Sequence, residues 1–394
     1  MDIEKLIAKR TVELKPSGIR RFFDIANEME GVISLGVGEP DFKTPYAIRR
    51  AAIDNLQRGN TRYTANSGLM ELRKSIAKYM ENRFNLSYHP EDEIFVTVGG
   101  SEGIDLCVRA FVEPGDEVLI PEPSYVAYAP IVQLTFGVPV PIPLKEENNF
   151  RLTPEELEAA ITPRTKLLVL PFPNNPTGGV MRREHLEAIA AVLRRHPDII
   201  ILSDEIYAEL TYNGRHVSIA EIDGMKERTI VVNGFSKAFS MTGWRLGYLC
   251  GPAPAIKQML KIHQYALMCS PTTSQWAGVE AMEHCLPTVE AMREEYNLRR
   301  RFIVDAFNQM GLHTFEPEGA FYVFPCIKST GLSSEEFCER LLYEKKIAVV
   351  PGDAFGASGE GYIRVSYCYS VNHLTQAAKG IAEFLEDLKK ERQG

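Results

Sequence analysis

Lys237 stands in the segment Gly234-Phe-Ser-Lys-Ala-Phe-Ser-Met-Thr-Gly-Trp-Arg245, directly after the apolar run Thr229-Ile-Val-Val-Asn233. A lysine at the mouth of a buried strand is poorly hydrated, so its amine gives up a proton near neutral pH and can condense with a carbonyl. Arg245 and the small residues between them suit a phosphate. Together they describe a binding place for an aldehyde that carries a phosphate. The competing reading is one more solvated surface lysine.

Five further features fall where strands end. Gly99-Gly-Ser-Glu102 follows the run Ile94–Val98 and opens a helix, so glycines, first-turn amides and the Ser101 hydroxyl could meet an anion, or form an ordinary turn. Asp204 ends the apolar run Ile199–Ser203, where a carboxylate can pair with a protonated ring nitrogen or cap a helix; Tyr207 follows and could direct its phenol at a ring oxygen. Pro171-Phe-Pro-Asn-Asn-Pro-Thr-Gly178 is a turn whose Asn175 amide could serve a ring oxygen and a substrate carboxylate. Tyr125 offers a ring to stack on a planar group, or a core aromatic. Arg364, in Tyr362-Ile-Arg-Val-Ser-Tyr367, is a cation inside an otherwise uncharged strand; a bound carboxylate, an internal salt bridge or an exposed face would each account for it. Pyridoxal phosphate is the ligand that meets the set.

The elements that must position these groups read as an α/β fold. Short apolar runs are expected as strands at 94–98, 117–121, 138–142, 166–171, 199–204, 229–233 and 246–250, several apolar on both faces as a mainly parallel sheet sandwiched by helices requires. Helices are expected at 103–111, 154–160, 183–195 and 255–264; Thr153 caps the second, with Pro154 at its first position and acids after it. Beyond a long charged helix over 286–310, strands at 319–325, 347–351 and 362–367 and a closing helix over 371–390 read as a smaller α+β domain. The expected division is a large cofactor-binding domain over 46–288 and a small domain from 1–45 plus 289–394. Ligands in such sheets collect at the carboxyl ends of the strands.

Composition narrows the function. The 394 residues carry a formal charge of -8 with no basic block, which argues against a nucleic-acid partner. Seven scattered cysteines without a C-x-x-C pair argue for reduced thiols in a cytoplasmic protein and against a disulfide framework or a metal site. The start resembles no signal peptide, and the apolar runs are shorter than the ~20 residues that cross a bilayer, so no membrane is expected.

On these motifs the chain resembles the class I/II aminotransferases, the fold-type-I pyridoxal-phosphate enzymes, from Ser34-Leu-Gly-Val-Gly-Glu-Pro-Asp-Phe42 to the C-terminal helix. The resemblance implies that Lys237 is the Schiff-base lysine and Asp204 the partner of the pyridine nitrogen. By the same resemblance Tyr207 and Asn175 bond the ring oxygen O3′, and Tyr125 stacks on the ring. Gly100, Ser101, Ser236 and Arg245 match phosphate-binding positions, and Arg364 matches the α-carboxylate arginine. The Gly36-Val37-Gly38 loop is similar to one that closes over that carboxylate, and Tyr63 matches a tyrosine that reaches the phosphate of the neighbouring subunit, implying a homodimer with shared active sites. Amino acids and 2-oxo acids are the implied substrates.

Two departures bear on specificity. Aspartate-type relatives often place a lysine after the Gly-Gly pair, where this chain has Ser101, and others supply an arginine from a stretch that here, Gln264–Gln275, has none. A neutral or aromatic donor such as alanine or an aromatic amino acid is therefore favoured over aspartate, with 2-oxoglutarate as acceptor and Phe22, Tyr128 and the Tyr265 region as candidate pocket walls. The rival readings are a carbon-sulfur β-lyase using the same cofactor, and a regulator that has kept the fold; such regulators carry a DNA-binding module, which is not seen here.

Overall fold

The computed structural model describes residues 3–14 and 29–393; Phe22 lies outside them. The seven expected central strands form one sheet: β2 (Ile94–Thr97), β3 (Glu117–Glu122), β4 (Val138–Pro143), β5 (Thr165–Leu170), β6 (Ile200–Asp204), β7 (Thr229–Gly234) and β8 (Gly247–Cys250), preceded in the chain by the short β1 (Ile33–Ser34). Their spatial order is β2-β8-β7-β6-β5-β3-β4. All neighbours run parallel except β8, which is antiparallel to both β2 and β7. Strands β2, β7 and β8 are buried throughout, as two covered faces demand.

Two apolar layers cover this sheet. On one side Ile104, Cys107 and Val108 of helix Gly100–Phe111 and Ile256 and Met259 of helix Ala253–Ala266 pack with Phe95, Val169, Leu202 and Val232. On the other, Leu72, Ile76 and Met80 of helix Met70–Phe84 and Ala277 and Ala281 of helix Thr272–His284 join Val96, Val231 and Tyr248. The helix Pro154–Ala160 starts as its sequence dictates, with Thr153 and Glu156 forming a reciprocal capping box.

The C-terminal part departs from expectation in detail. The run at 347–351 is not one strand. Ile347 and Ala348 (β10) pair in parallel with Ile33 and Ser34, whereas Val350 and Pro351 (β11) pair antiparallel with Arg364 and Ile363 of β12 (Ile363–Ser366). The run at 319–325 keeps only Tyr322–Val323 as β9; on its N-terminal side Ala320 adopts a left-handed φ of 57°, which a strand does not accommodate. Helices Leu286–Gln309 and Val371–Gln393 pack around these short strands.

Candidate active site

The carboxyl ends of the parallel strands and the loop after β1 enclose a cavity of about 360 Å³. Eleven of the twelve residues expected to be catalytic or to hold cofactor or substrate line it: Gly38, Gly100, Ser101, Tyr125, Asn175, Asp204, Tyr207, Ser236, Lys237, Arg245 and Arg364; the candidate wall Tyr128 does too. Tyr63 does not. It is 79% exposed and stands outside the cavity.

Lys237 follows β7, and its Nζ donates to the Gly38 carbonyl oxygen at 2.6 Å. Burial penalises the ammonium, and the neighbouring Arg364 adds to that; the pKa falls to about 8. Asp204 closes β6 and is buried. Burial pushes its pKa up, opposed by hydrogen bonds from the Tyr128 phenol to Oδ2, 2.7 Å, and from the Ile206 amide to Oδ1, 3.3 Å. No helix follows Asp204, so the helix-cap alternative gives way to a turn. The Tyr207 and Tyr322 hydroxyls lie 2.9 Å apart, each buried and each held well above the ordinary phenol pKa by that burial.

Arg364 is 3% exposed and has no carboxylate within ion-pairing distance among the described residues. Its fork donates instead to neutral oxygens, Nη1 to Asn175 Oδ1 at 2.9 Å and Nη2 to the Gly36 carbonyl at 2.5 Å, and its buried Nε has no hydrogen-bond partner among the described residues. The Tyr322 and Phe355 rings lie 4.5 and 4.7 Å from the guanidinium. The salt-bridge and exposed-face readings therefore fall. A buried cation with only neutral partners is costly unless an anion completes it.

At the opposite end, Gly99 takes a φ of 77° and leads into helix Gly100–Phe111. A Cβ on Gly99 would lie 2.5 Å from Arg245 Nη2, so glycine here lets the guanidinium lie against the loop. Ser101, Ser236 and Arg245 bring two hydroxyls and a cation to this end of the cavity, beside the amide-rich helix start. Tyr125 meets Tyr128 edge-on at 5.6 Å.

Sequence reasoning missed two residues. Tyr128 was named only as a pocket wall, although the Tyr125-x-x-Tyr128 spacing puts both rings on one side of the chain as a helix begins. Tyr322 gave no local signal; its contacts with Tyr207 and Gly38 join segments far apart in sequence.

The family model for aminotransferases of class I and II matches residues 30–381. The chain belongs to that family. As an aminotransferase it is 47% identical over 95% of its length to an aspartate aminotransferase of Pyrococcus abyssi, covering 97% of it. It is 45% identical to aromatic-amino-acid aminotransferase 2 of Thermococcus litoralis, over 97% of this chain and 99% of the other. The crystal structure of an aromatic aminotransferase from Pyrococcus horikoshii OT3 superposes with a TM-score of 0.89 at 44% identity, over 93% and 99% of the two chains. The enzyme is a fold-type-I aminotransferase acting on amino and 2-oxo acids, and its cofactor is pyridoxal phosphate. The cavity fits that group: hydroxyls and a guanidinium at one end, a buried carboxylate and a weakly basic amine further in, and an arginine with only neutral hydrogen-bond partners at the other end. Among the described residues no cluster of three or more metal-ligating side chains occurs, and no helix is long and apolar enough to cross a membrane.

Proposed function

We propose that this aminotransferase moves the amino group of a neutral or aromatic L-amino acid to a 2-oxo acid, 2-oxoglutarate being the acceptor. Gly100, Ser101, Ser236 and Arg245 hold the cofactor phosphate, Asp204 faces the ring nitrogen, Asn175 and Tyr207 hold the ring oxygen, and Tyr125 covers the ring. Bound there, pyridoxal phosphate supplies a carbonyl that accepts the amino group and a ring that withdraws the electron pair left when a Cα proton departs. Lys237 is the group that takes that proton from Cα and returns it, a role its pKa of about 8 suits near neutral pH. Arg364 binds the substrate α-carboxylate through its planar fork, with Asn175 alongside and the Gly38 loop closing over it.

The observation that carries this reading is the buried Arg364 with only neutral partners, in one cavity with the depressed Lys237 amine. The donor preference is supported by the walls. Among the described residues no cation apart from Lys237, Arg245 and Arg364 lines the cavity, whereas Ile104, Tyr125, Tyr128, Pro171 and Pro173 do. Tyr63 and Tyr265, 79% and 87% exposed, are free to face a second copy, which supports a homodimer with shared sites. Pairing of β1 with β10 supports assigning 1–45 to a small domain with 289–394, against a large domain over 46–288. Seven free thiols suit a cytoplasmic enzyme.

The test is a donor panel of alanine, phenylalanine, tyrosine, aspartate and an acylated diaminopimelate with 2-oxoglutarate, run on wild type and Lys237→Ala. Aromatic donors or alanine should lead, and Lys237→Ala should lose nearly all turnover. Aspartate leading would overturn the specificity; full activity of Lys237→Ala would overturn the site; pyruvate and ammonia from cystathionine without an acceptor would make the enzyme a β-lyase.

A further inference from the structure

Glu102 occupies the third position of the helix that begins at Gly100, one residue beyond Ser101, yet it does not line the cavity. An acid at this position ordinarily reaches back to the N-cap amide, here Gly99, and is drawn to the positive end of the helix dipole. That amide adjoins the Gly100 and Ser101 amides that a phosphate needs, so a carboxylate there would crowd the same anion-binding place. In this enzyme both carboxylate oxygens are engaged elsewhere. Oε2 accepts the Val98 amide at 2.5 Å, and Oε1 lies 2.5 Å from His263 Nδ1.

His263 belongs to helix Ala253–Ala266 and is wholly buried, its ring 5.5 Å from that of Phe95. Its Nε2 has no hydrogen-bond partner among the described residues. An imidazolium would bury an unpaired N–H there, so the neutral ring with its proton on Nδ1 fits: it donates to Glu102 and leaves only a bare lone pair.

We propose that His263 is a positioning residue for cofactor binding, holding the Glu102 carboxylate against Val98 and away from the helix start so that the phosphate meets vacant amides. The inference rests on Gly100 and Ser101 forming the phosphate cradle. Glu102 acts as a tether for the strand-to-helix turn only while both of its oxygens are held. Released on the histidine side, it becomes a competitor for the same anion-binding place.

The test uses the full-length enzyme freed of cofactor and titrated spectroscopically with pyridoxal phosphate and with pyridoxal, which lacks the phosphate. His263→Phe keeps the ring packed on Phe95 but removes the donor. Pyridoxal phosphate should bind about tenfold more weakly, as loss of one charge-assisted bond's worth of phosphate affinity implies, while pyridoxal changes less than about twofold. Adding Glu102→Gln to His263→Phe should recover most of the loss, because a neutral amide competes poorly for the helix start. Ser101→Ala is the control and should weaken pyridoxal phosphate selectively by itself. Equal weakening of both ligands by His263→Phe, no change in either, or failure of Glu102→Gln to recover binding would overturn the proposal. If Ser101→Ala leaves the preference for the phosphorylated ligand intact, the cradle assignment itself is wrong.

Discussion

Tyr128→Phe isolates a single atom of the site. The phenol donates to Asp204 Oδ2 at 2.7 Å in a buried setting, and the ring meets Tyr125 edge-on. Phenylalanine keeps the ring and its packing and deletes only the donor. A hydrogen bond to a charged group contributes about 1.5–3 kcal/mol, so the ionised carboxylate loses about that much support. With Asp204 facing the ring nitrogen as proposed, its ionised form keeps that nitrogen protonated, so the cost falls on the chemical step, and kcat should drop roughly tenfold to a hundredfold. The sign of the pH effect is fixed. Burial already raises the Asp204 pKa and the Tyr128 bond opposes that rise, so deleting the bond raises it further and moves the acid limb of the kcat profile to higher pH. Single-turnover rates against pH, with thermal midpoints as a folding check, read both effects. A variant with wild-type kcat and an unmoved acid limb would show that Tyr128 only packs.

Three other outcomes are expected. In the cofactor-free enzyme, burial lowers the Lys237 pKa to about 8, so the ammonium releases its proton earlier than an exposed lysine does; the rate of cofactor capture should climb with pH and level off above about 8, and stopped-flow absorbance would reveal a later plateau if the amine were ordinary. Arg364→Lys keeps the charge but loses the fork, and kcat/KM for amino acids should fall about a hundredfold, with amines lacking a carboxylate unaffected; an equal fall for both in steady-state assays would remove Arg364 from carboxylate binding. A Cβ at Gly38 would sit 2.3 Å from the Tyr322 hydroxyl oxygen and 3.3 Å from Cζ, so Gly38→Ala should lower kcat/KM about tenfold through local overpacking, and adding Tyr322→Phe should restore part of it; simple additivity in that double-mutant cycle would refute the contact.

The sheet was legible because its strands are short apolar runs that nothing but burial on two faces explains, and each expected strand lies within a residue or two of the observed one. The direction of β8 was not legible, since pairing sense depends on neighbours rather than on the run itself. Helix Tyr46–Gln57 escaped notice because Ile53 and Leu56, 46% and 52% exposed, blur its apolar stripe. At the site, Lys237, Asp204 and Arg364 could be read from residue type against local context. Tyr322 could not, because its meaning arises only when β9 lies beside the loop of Gly38 and the turn of Tyr207.

The carbonyls of Gly36 and Gly38 take the hydrogen bonds of Arg364 and Lys237. One short loop thus holds both of these basic side chains through its own peptide oxygens. A ligand with a carboxylate can exchange with the Gly36 oxygen and gain the charge that a carbonyl lacks. A simple amine or a neutral sugar aldehyde has nothing to trade. If Arg364 takes the substrate carboxylate as proposed, discrimination between metabolites begins at this loop, before any side-chain pocket is reached.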